Sequence, residues 1–434
     1  MAEREAWSGA EVGGFIGPVA KMFASAAPAG RNDGAVVAYF GPDLDDSVVR
    51  RRVSQWRRAG FKVLPLAFSR TAAAKPVPEE FVNLGRVMPL SRARRVMPLI
   101  LAGWRVLARR RALAGVDLFI ARNLDIALLA LFARWVSGSS APLIYEVLDI
   151  NQSCTEPGWR GSFFRWIERR VLASTALLVV SSPYFATDYY EGLLRYRRQW
   201  FLFENKIPKS IGPPRLEPPA PVANRDPKRR WVIGLFGYLD DETSWKILRG
   251  LAEALPDKVT IYVRGAPYTN FDMKRFLADV ERLENVSYGG PYRNPEEIAE
   301  VYGAVDIVWS MDFNSPNGNS KWLLTNGLYE AGYFGKPVLG LRGTAVSQVL
   351  ESWGSGWCLD QPVATAAIDF IRGLTVEQYE EKRRELARLS PDLFIETDEI
   401  QRIWSILQSQ KLRGDAPAAP THNVHFIPWD KSAG

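Results

Sequence analysis

At 434 residues, 47% hydrophobic and 24% charged, the chain has the make-up of globular protein and enough length for two domains with separate cores. A net charge of +7 and a pI near 9.3 point to an anionic partner, whether nucleic acid, a phosphate-bearing ligand or an anionic membrane surface. The two histidines, His422 and His425, lie in a Pro- and Ala-containing tail, which argues against a Ser-His-Asp triad, a Cys-His pair or a histidine-ligated zinc site in the folded body and leaves acid-base work to carboxylates.

Residues 1–30 read as an N-terminal extension. They carry Glu3, Glu5 and Glu11 where a signal peptide would be basic, and no apolar run approaches about 18 residues, so a cytoplasmic protein without a spanning segment is expected. Cys154 and Cys358 sit far apart in unrelated contexts, which fits a reducing compartment.

From residue 31 to 206, short β-branched runs ("AVVAYFG", "GFKVLPLAF", "VDLFIARN", "PLIYEVLDI", "ALLVVSS", "WFLFENK") alternate with segments of helical spacing. That is the pattern of a parallel sheet wrapped by helices. Within this half, residues 86–113 hold eight arginines and no acid among Met, Leu, Ile and Trp, and residues 157–170 repeat the mixture. The stretch reads either as a basic amphipathic surface against an anionic leaflet or as a first-domain helix with solvated arginines.

Residues 207–230 are dense in proline and lack periodicity, as a linker does. A second alternating unit follows over 231–375 ("WVIGLFGYL", "KVTIYVRG", "NVSYGG", "DIVWSMDF", "KPVLGLRG"). The strands stop after "WCLD"; residues 376–412 form C-terminal helices that can cross back to the first domain, and 413–434 form a tail. The fold class expected is α/β, with two Rossmann-like doubly wound domains facing a cleft.

In open α/β sheets ligands bind beyond the carboxyl ends of the strands. In the second unit these ends offer Gly237 for close backbone approach, Thr243 and Ser244 at a helix start whose N–H groups attract phosphate, and Arg264 as a diphosphate clamp. "NSKWLLTNGLYE" reads as one helix opened by Asn319, Ser320 and Lys321, whose N–H donors and ammonium are expected to hold a diphosphate. There is no G-x-x-x-x-G-K-[ST] loop, and the first strand runs into "GPDLDD" rather than G-x-G-x-x-G. Two α/β units, a linker and a diphosphate-suited second unit point to a nucleotide-sugar glycosyltransferase of the GT-B architecture. The "DLD" of residues 43–45 merges into a helix cap, "DDS" (45–47), and is read that way rather than as a metal-binding D-x-D; no metal and no cofactor beyond the nucleotide sugar are expected, since helix dipoles and basic side chains can stabilise a leaving diphosphate.

Several stretches, above all "WSMDFNSPNGNSKWLLTNGLYEAGYFGKPVLG", resemble the bacterial exopolysaccharide glycosyltransferases of the succinoglycan-biosynthesis ExoL type, over roughly residues 35–360. The resemblance implies transfer of a sugar from a nucleotide-diphosphate donor, UDP-linked, to a lipid-linked oligosaccharide. The basic and aromatic segments 86–113 and 157–170 favour peripheral attachment at the inner face of the cell membrane, and with no RNA- or DNA-binding signature in the chain no nucleic-acid partner is expected. Asn326 and Glu330 match the Asn and Glu of the wider group's N-[KR]-L-[FY]-E donor helix, with Glu330 on the ribose. Three positions depart from it: Gly327 replaces the basic residue, Asp240 stands where relatives tend to carry arginine, and Trp322 stands where the Glu-x7-Glu class carries its second glutamate. The last departure favours inversion, which needs a carboxylate base near the acceptor hydroxyl. Asp149, ending "LIYEVLD" much as the base ends a similar V-Y-x-x-x-D stretch in xanthan-type glucuronosyltransferases, is the first choice. Asp43, Asp45, Asn123, Asp125 and Glu146 are further acceptor-side candidates. A non-catalytic GT-B binding protein and a basic nucleic-acid-binding protein are the competing readings.

Overall fold

A computed structural model describes residues 34–44, 46–69, 81–86, 96–209, 230–268 and 271–412. The N-terminal extension, Asp45, residues 87–95 of the basic stretch, most of the linker (210–229) and the tail 413–434 lie outside the described residues.

The first sheet is built from β1 (Val36–Gly41), β2 (Lys62–Ser69), β3 (Val82–Arg86), β4 (Leu118–Arg122), β5 (Leu143–Val147), β6 (Leu177–Val180) and β7 (Trp200–Leu202), all paired in parallel in the order β3-β2-β1-β4-β5-β6-β7. Alternation along β1 shows why the runs are continuously apolar. Ala38 and Phe40 face one core layer with Phe119 and Tyr145, while Val37 and Tyr39 face another with Leu118 and Ile120. Strand β3 has no counterpart among the expected runs; Asn83 and Gly85 interrupt its apolar pattern.

The second sheet consists of β8 (Trp231–Leu239), β9 (Val259–Pro267), β10 (Val286–Tyr288), β11 (Ile307–Trp309), β12 (Val338–Leu341) and β13 (Gly356–Leu359), in the order β10-β9-β8-β11-β12-β13, again parallel. Both sheets reverse their winding once, between β1 and β4 in the first and between β8 and β11 in the second. Those reversals are the crevices where the connecting chain parts and a ligand fits.

The C-terminal helices join the two units. Tyr379, on the helix Val376–Ala387, packs on Trp231 of the second unit with ring centroids 5.0 Å apart. The last helix, Glu399–Leu412, returns to the first sheet, where Ile400, Ile403 and Leu407 complete the layer around Val37 and Tyr39.

The stretch expected as one helix is two, Asn319–Trp322 and Asn326–Tyr333. Leu323 closes the first in an extended conformation, and Thr325 caps the second by accepting a hydrogen bond from the Leu328 N–H. A fresh N-cap inside the run is what the apolar spacing concealed.

Candidate active site

The two sheets meet at their carboxyl edges, and the seam passes through Asp149. Its carboxylate is exposed just beyond β5, before Asn151 caps the short helix Gln152–Thr155. Asn319 of the second unit reaches across to it. The Asn319 Nδ2 donates to Asp149 Oδ1 at 3.1 Å, and its Oδ1 accepts from the Ile150 N–H at 2.8 Å. Both amide groups of Asn319 are therefore committed to the neighbouring domain rather than to a diphosphate.

Trp322 shows why no second glutamate stands in its place. Its ring packs against both the first-domain core and the second-domain layer around Tyr329, and its carbonyl accepts from the Ser182 hydroxyl. The seam is further tied by the Tyr184 hydroxyl on Gln348 and the Tyr329 hydroxyl on Glu204, the latter at 2.8 Å.

On the first sheet, Arg122 ends β4 and donates from Nη1 to Asp46 Oδ2 at 2.8 Å. Burial opposes its charge, but Asp46, then Tyr39, Glu146 and Asp149, hold its pKa above the usual arginine value. Asn123 follows at positive φ, and Asp125 lies half-buried in the first turn of the helix Leu124–Ser137. Two acceptor-side expectations are corrected here. Glu146 is 3% exposed and accepts from Arg52 Nε at 2.7 Å and from the Tyr39 hydroxyl at 2.8 Å, so it is a core ion-pair member. Asp43 is buried as well, whereas Asp46 caps the helix Ser47–Arg58, as expected of the "DDS" cap, and also holds Arg122.

The donor-side expectations change more. The Thr243 and Ser244 N–H groups, expected to hold phosphate, instead donate to Asp241 Oδ1 at 2.9 and 3.2 Å, because Asp241 is the N-cap of the helix Glu242–Ala254. Ser244 is buried, its hydroxyl held between Asp241 and the Trp309 indole. Arg264 is not a clamp in this arrangement: its guanidinium donates to the Gly290 and Pro291 carbonyls, the Tyr262 hydroxyl and Glu297. Ser320 is buried and accepts from the Ser315 N–H at 2.7 Å, which closes the 315–320 loop.

Glu330 is likewise enclosed. It accepts from the Tyr302 hydroxyl at 2.7 Å and from Asn294 Nδ2 at 3.0 Å, and burial raises its pKa while Arg51 of the first domain pulls it back. Gly237 holds φ +113° in β8, a conformation that favours glycine. Lys321 is exposed at the seam, and Asn326 lies half-buried behind the Thr325 cap. Burial, then the charges of Asp312 and Asp241, push Asp240 up to about 6. Asp312 is also raised, chiefly by burial with Asp241 and Asp149 adding to it. The switch point of the second sheet is thus rich in acid, and it faces Asp149.

No family model matches the chain. It is 30% identical to the succinoglycan biosynthesis protein ExoL of Rhizobium meliloti (strain 1021) over 367 residues, which span 83% of this chain and 89% of that protein. The chain belongs to the ExoL family. Its fold is that of the GT-B glycosyltransferases. Solved structures agree on the fold. Anabaena HepE, in complex with UDP and glucose, matches at 14% identity and a TM-score of 0.59 over 87% of this chain and 99% of its own. Sucrose-phosphate synthase from Thermosynechococcus elongatus matches at 13% identity and a TM-score of 0.62, covering 87% and 98%. WaaG, a glycosyltransferase involved in lipopolysaccharide biosynthesis, matches at 15% identity and 0.56, covering 86% and 99%.

In this ExoL-family protein, sequence reasoning missed three participants in the seam: Arg122, Asp312 and the clasp role of Asn319. Arg122 carried a signal, since a lone arginine ending the apolar run "LFIA" is a charge that burial must compensate. The clasp carried none, because its partner Asp149 is 170 residues away.

Proposed function

We propose that this ExoL-family enzyme transfers a sugar from a UDP-linked donor to a lipid-linked saccharide, with inversion at the anomeric carbon and Asp149 as the general base. The observation that carries the reading is the placement of the exposed Asp149 carboxylate at the domain seam, fixed by Asn319 and facing the switch point of the second sheet. HepE binding UDP and UDP-glucose on the same fold supports the choice of nucleotide. In the reaction Asp149 takes the proton of an acceptor hydroxyl as that oxygen bonds to the anomeric carbon. The bond from that carbon to the diphosphate breaks, and the electron pair leaves on UDP.

A lipid-linked acceptor fits the surface of the first domain. The helices Val96–Ala108, Leu124–Ser137 and Gly158–Ala173 pack in sequence, the middle one against both of the others. They expose Ile100, Leu101, Trp104, Trp135, Trp159 and Trp166, with Arg105, Arg109, Arg160 and Arg170 also exposed. No helix among the described residues is long and apolar enough to cross a membrane. Indoles beside arginines suit an anionic leaflet approached from its surface. Metal independence belongs to the same reading.

The test is a calorimetric titration of the purified protein with UDP-, GDP- and ADP-sugars, followed by transfer to detergent-extracted lipid-linked saccharides with and without EDTA. Selective UDP-sugar binding, EDTA-resistant transfer and an inverted product are expected. Preference for another nucleotide, or a retained configuration, would overturn the assignment.

A further inference from the structure

Two side-chain atoms at the first sheet's switch point are buried without a hydrogen-bond partner among the described residues: Nε of Arg122 and Oδ1 of Asn123. Buried polar atoms are nearly always paired, so a donor and an acceptor orphaned on consecutive residues point to a ligand that supplies both partners. Arg122 is 6% exposed, and its Nη1 is already fixed on Asp46.

Asn123 adds a second, independent sign. Its backbone sits at φ 73°, ψ 161°, a region open essentially to glycine. Asparagine is a favoured N-cap, yet its side chain makes no cap bond to the helix Leu124–Ser137 that it precedes. Neither conformation nor capping therefore explains asparagine at this position. Its place in the fold does: the loop after β4 lies where the sheet reverses, beside β5 and the Asp149 carboxylate whose charge Arg122 feels.

We infer that Arg122 and Asn123 form the acceptor-sugar subsite of the Asp149 centre, with one sugar hydroxyl donating to Asn123 Oδ1 and a hydroxyl or ring oxygen accepting from Arg122 Nε. The inference rests on the transferase reading above and deepens it by naming what holds the acceptor. The matching ligand class is a neutral saccharide, since a hydroxyl can donate and accept at once and Asp46 already balances the Arg122 charge.

The test replaces Asn123 by Gly, which adopts this backbone without strain and removes only the amide. The probes are octyl β-glucoside and octyl β-galactoside below their micelle concentrations, read by saturation-transfer NMR, with UDP affinity measured in parallel. The wild type is expected to bind at least one glycoside. Asn123→Gly should weaken that binding roughly 10-fold, the effect of losing about one hydrogen bond. Its UDP affinity should not change, and its Tm should rise as strain is released. Asn123→Asp, which keeps an accepting oxygen, should retain binding. The subsite is overturned if the wild type binds neither glycoside, or if Asn123→Gly binds them as the wild type does. It is also overturned if that variant loses Tm, UDP and glycoside binding together, the signature of a structural role. Absence of UDP binding by the wild type would instead count against the donor reading, whatever the glycosides do.

Discussion

Asn319→Ala separates the two roles open to the polar start of the helix Asn319–Trp322. In the structure the substitution removes two hydrogen bonds across the seam, one of 2.8 Å from the Ile150 N–H and one of 3.1 Å to the Asp149 carboxylate. A neutral bond contributes about 1 kcal/mol and a bond to a charged group roughly 1.5–3, so the seam should lose about 2.5–4 kcal/mol in all. Asp149 would keep its place after β5 but lose the group that orients it. Misplacement of a base by about 1 Å can cost on the order of 100-fold in rate. The expected result is a kcat lower by about 10- to 100-fold with UDP-sugar affinity close to wild type. Initial rates of UDP release and a calorimetric titration read the two quantities separately. A variant with wild-type kcat but a large loss of donor affinity would refute the clasp and return Asn319 to the diphosphate.

Further outcomes follow from the acidic switch point and from the exposed aromatic surface. Because the Asp240 carboxyl titrates at about 6, UDP affinity should strengthen as pH falls from about 7.5 to 5.5, and Asp240→Asn should flatten that dependence. Because Asp240 is exposed, solvent screens the penalty on its charge; what remains builds as pH rises from about 4 to about 6, so Asp240→Asn should raise Tm slightly at pH 7.5 and have little effect near pH 4. Replacing Trp104 and Trp159 by Ser should abolish co-sedimentation with phosphatidylglycerol vesicles while the fold, read by Tm, persists. Equal binding of the wild type to phosphatidylcholine vesicles at high salt would contradict the basic part of that surface.

The architecture was legible because it is written in periodicity. Runs such as "LFIAR" and "LIYEV", buried on both faces, can only be central parallel strands, and Asp149 follows one of them by simple counting. The donor side was less legible because the same residue types serve ligands and caps alike. Thr243 and Ser244 do start a helix, but the Asp241 side chain, rather than a phosphate, takes their N–H groups. Arg264 lies within β9 rather than at its end, and the carbonyls that engage it belong to Gly290 and Pro291, which only the β9–β10 pairing brings near. Glu330 matches a donor motif, and the tyrosine that encloses it, Tyr302, lies on another helix. Local pattern fixed where these residues sit; distant packing chose their partners.

If Asp149 is the base of an inverting UDP-sugar transfer, Asp149→Asn keeps the shape and the Asn319 contact but removes the proton acceptor. Transfer should fall by roughly a hundred- to ten-thousand-fold, with UDP-sugar affinity unchanged. Transfer within a few-fold of wild type by Asp149→Asn would contradict that role.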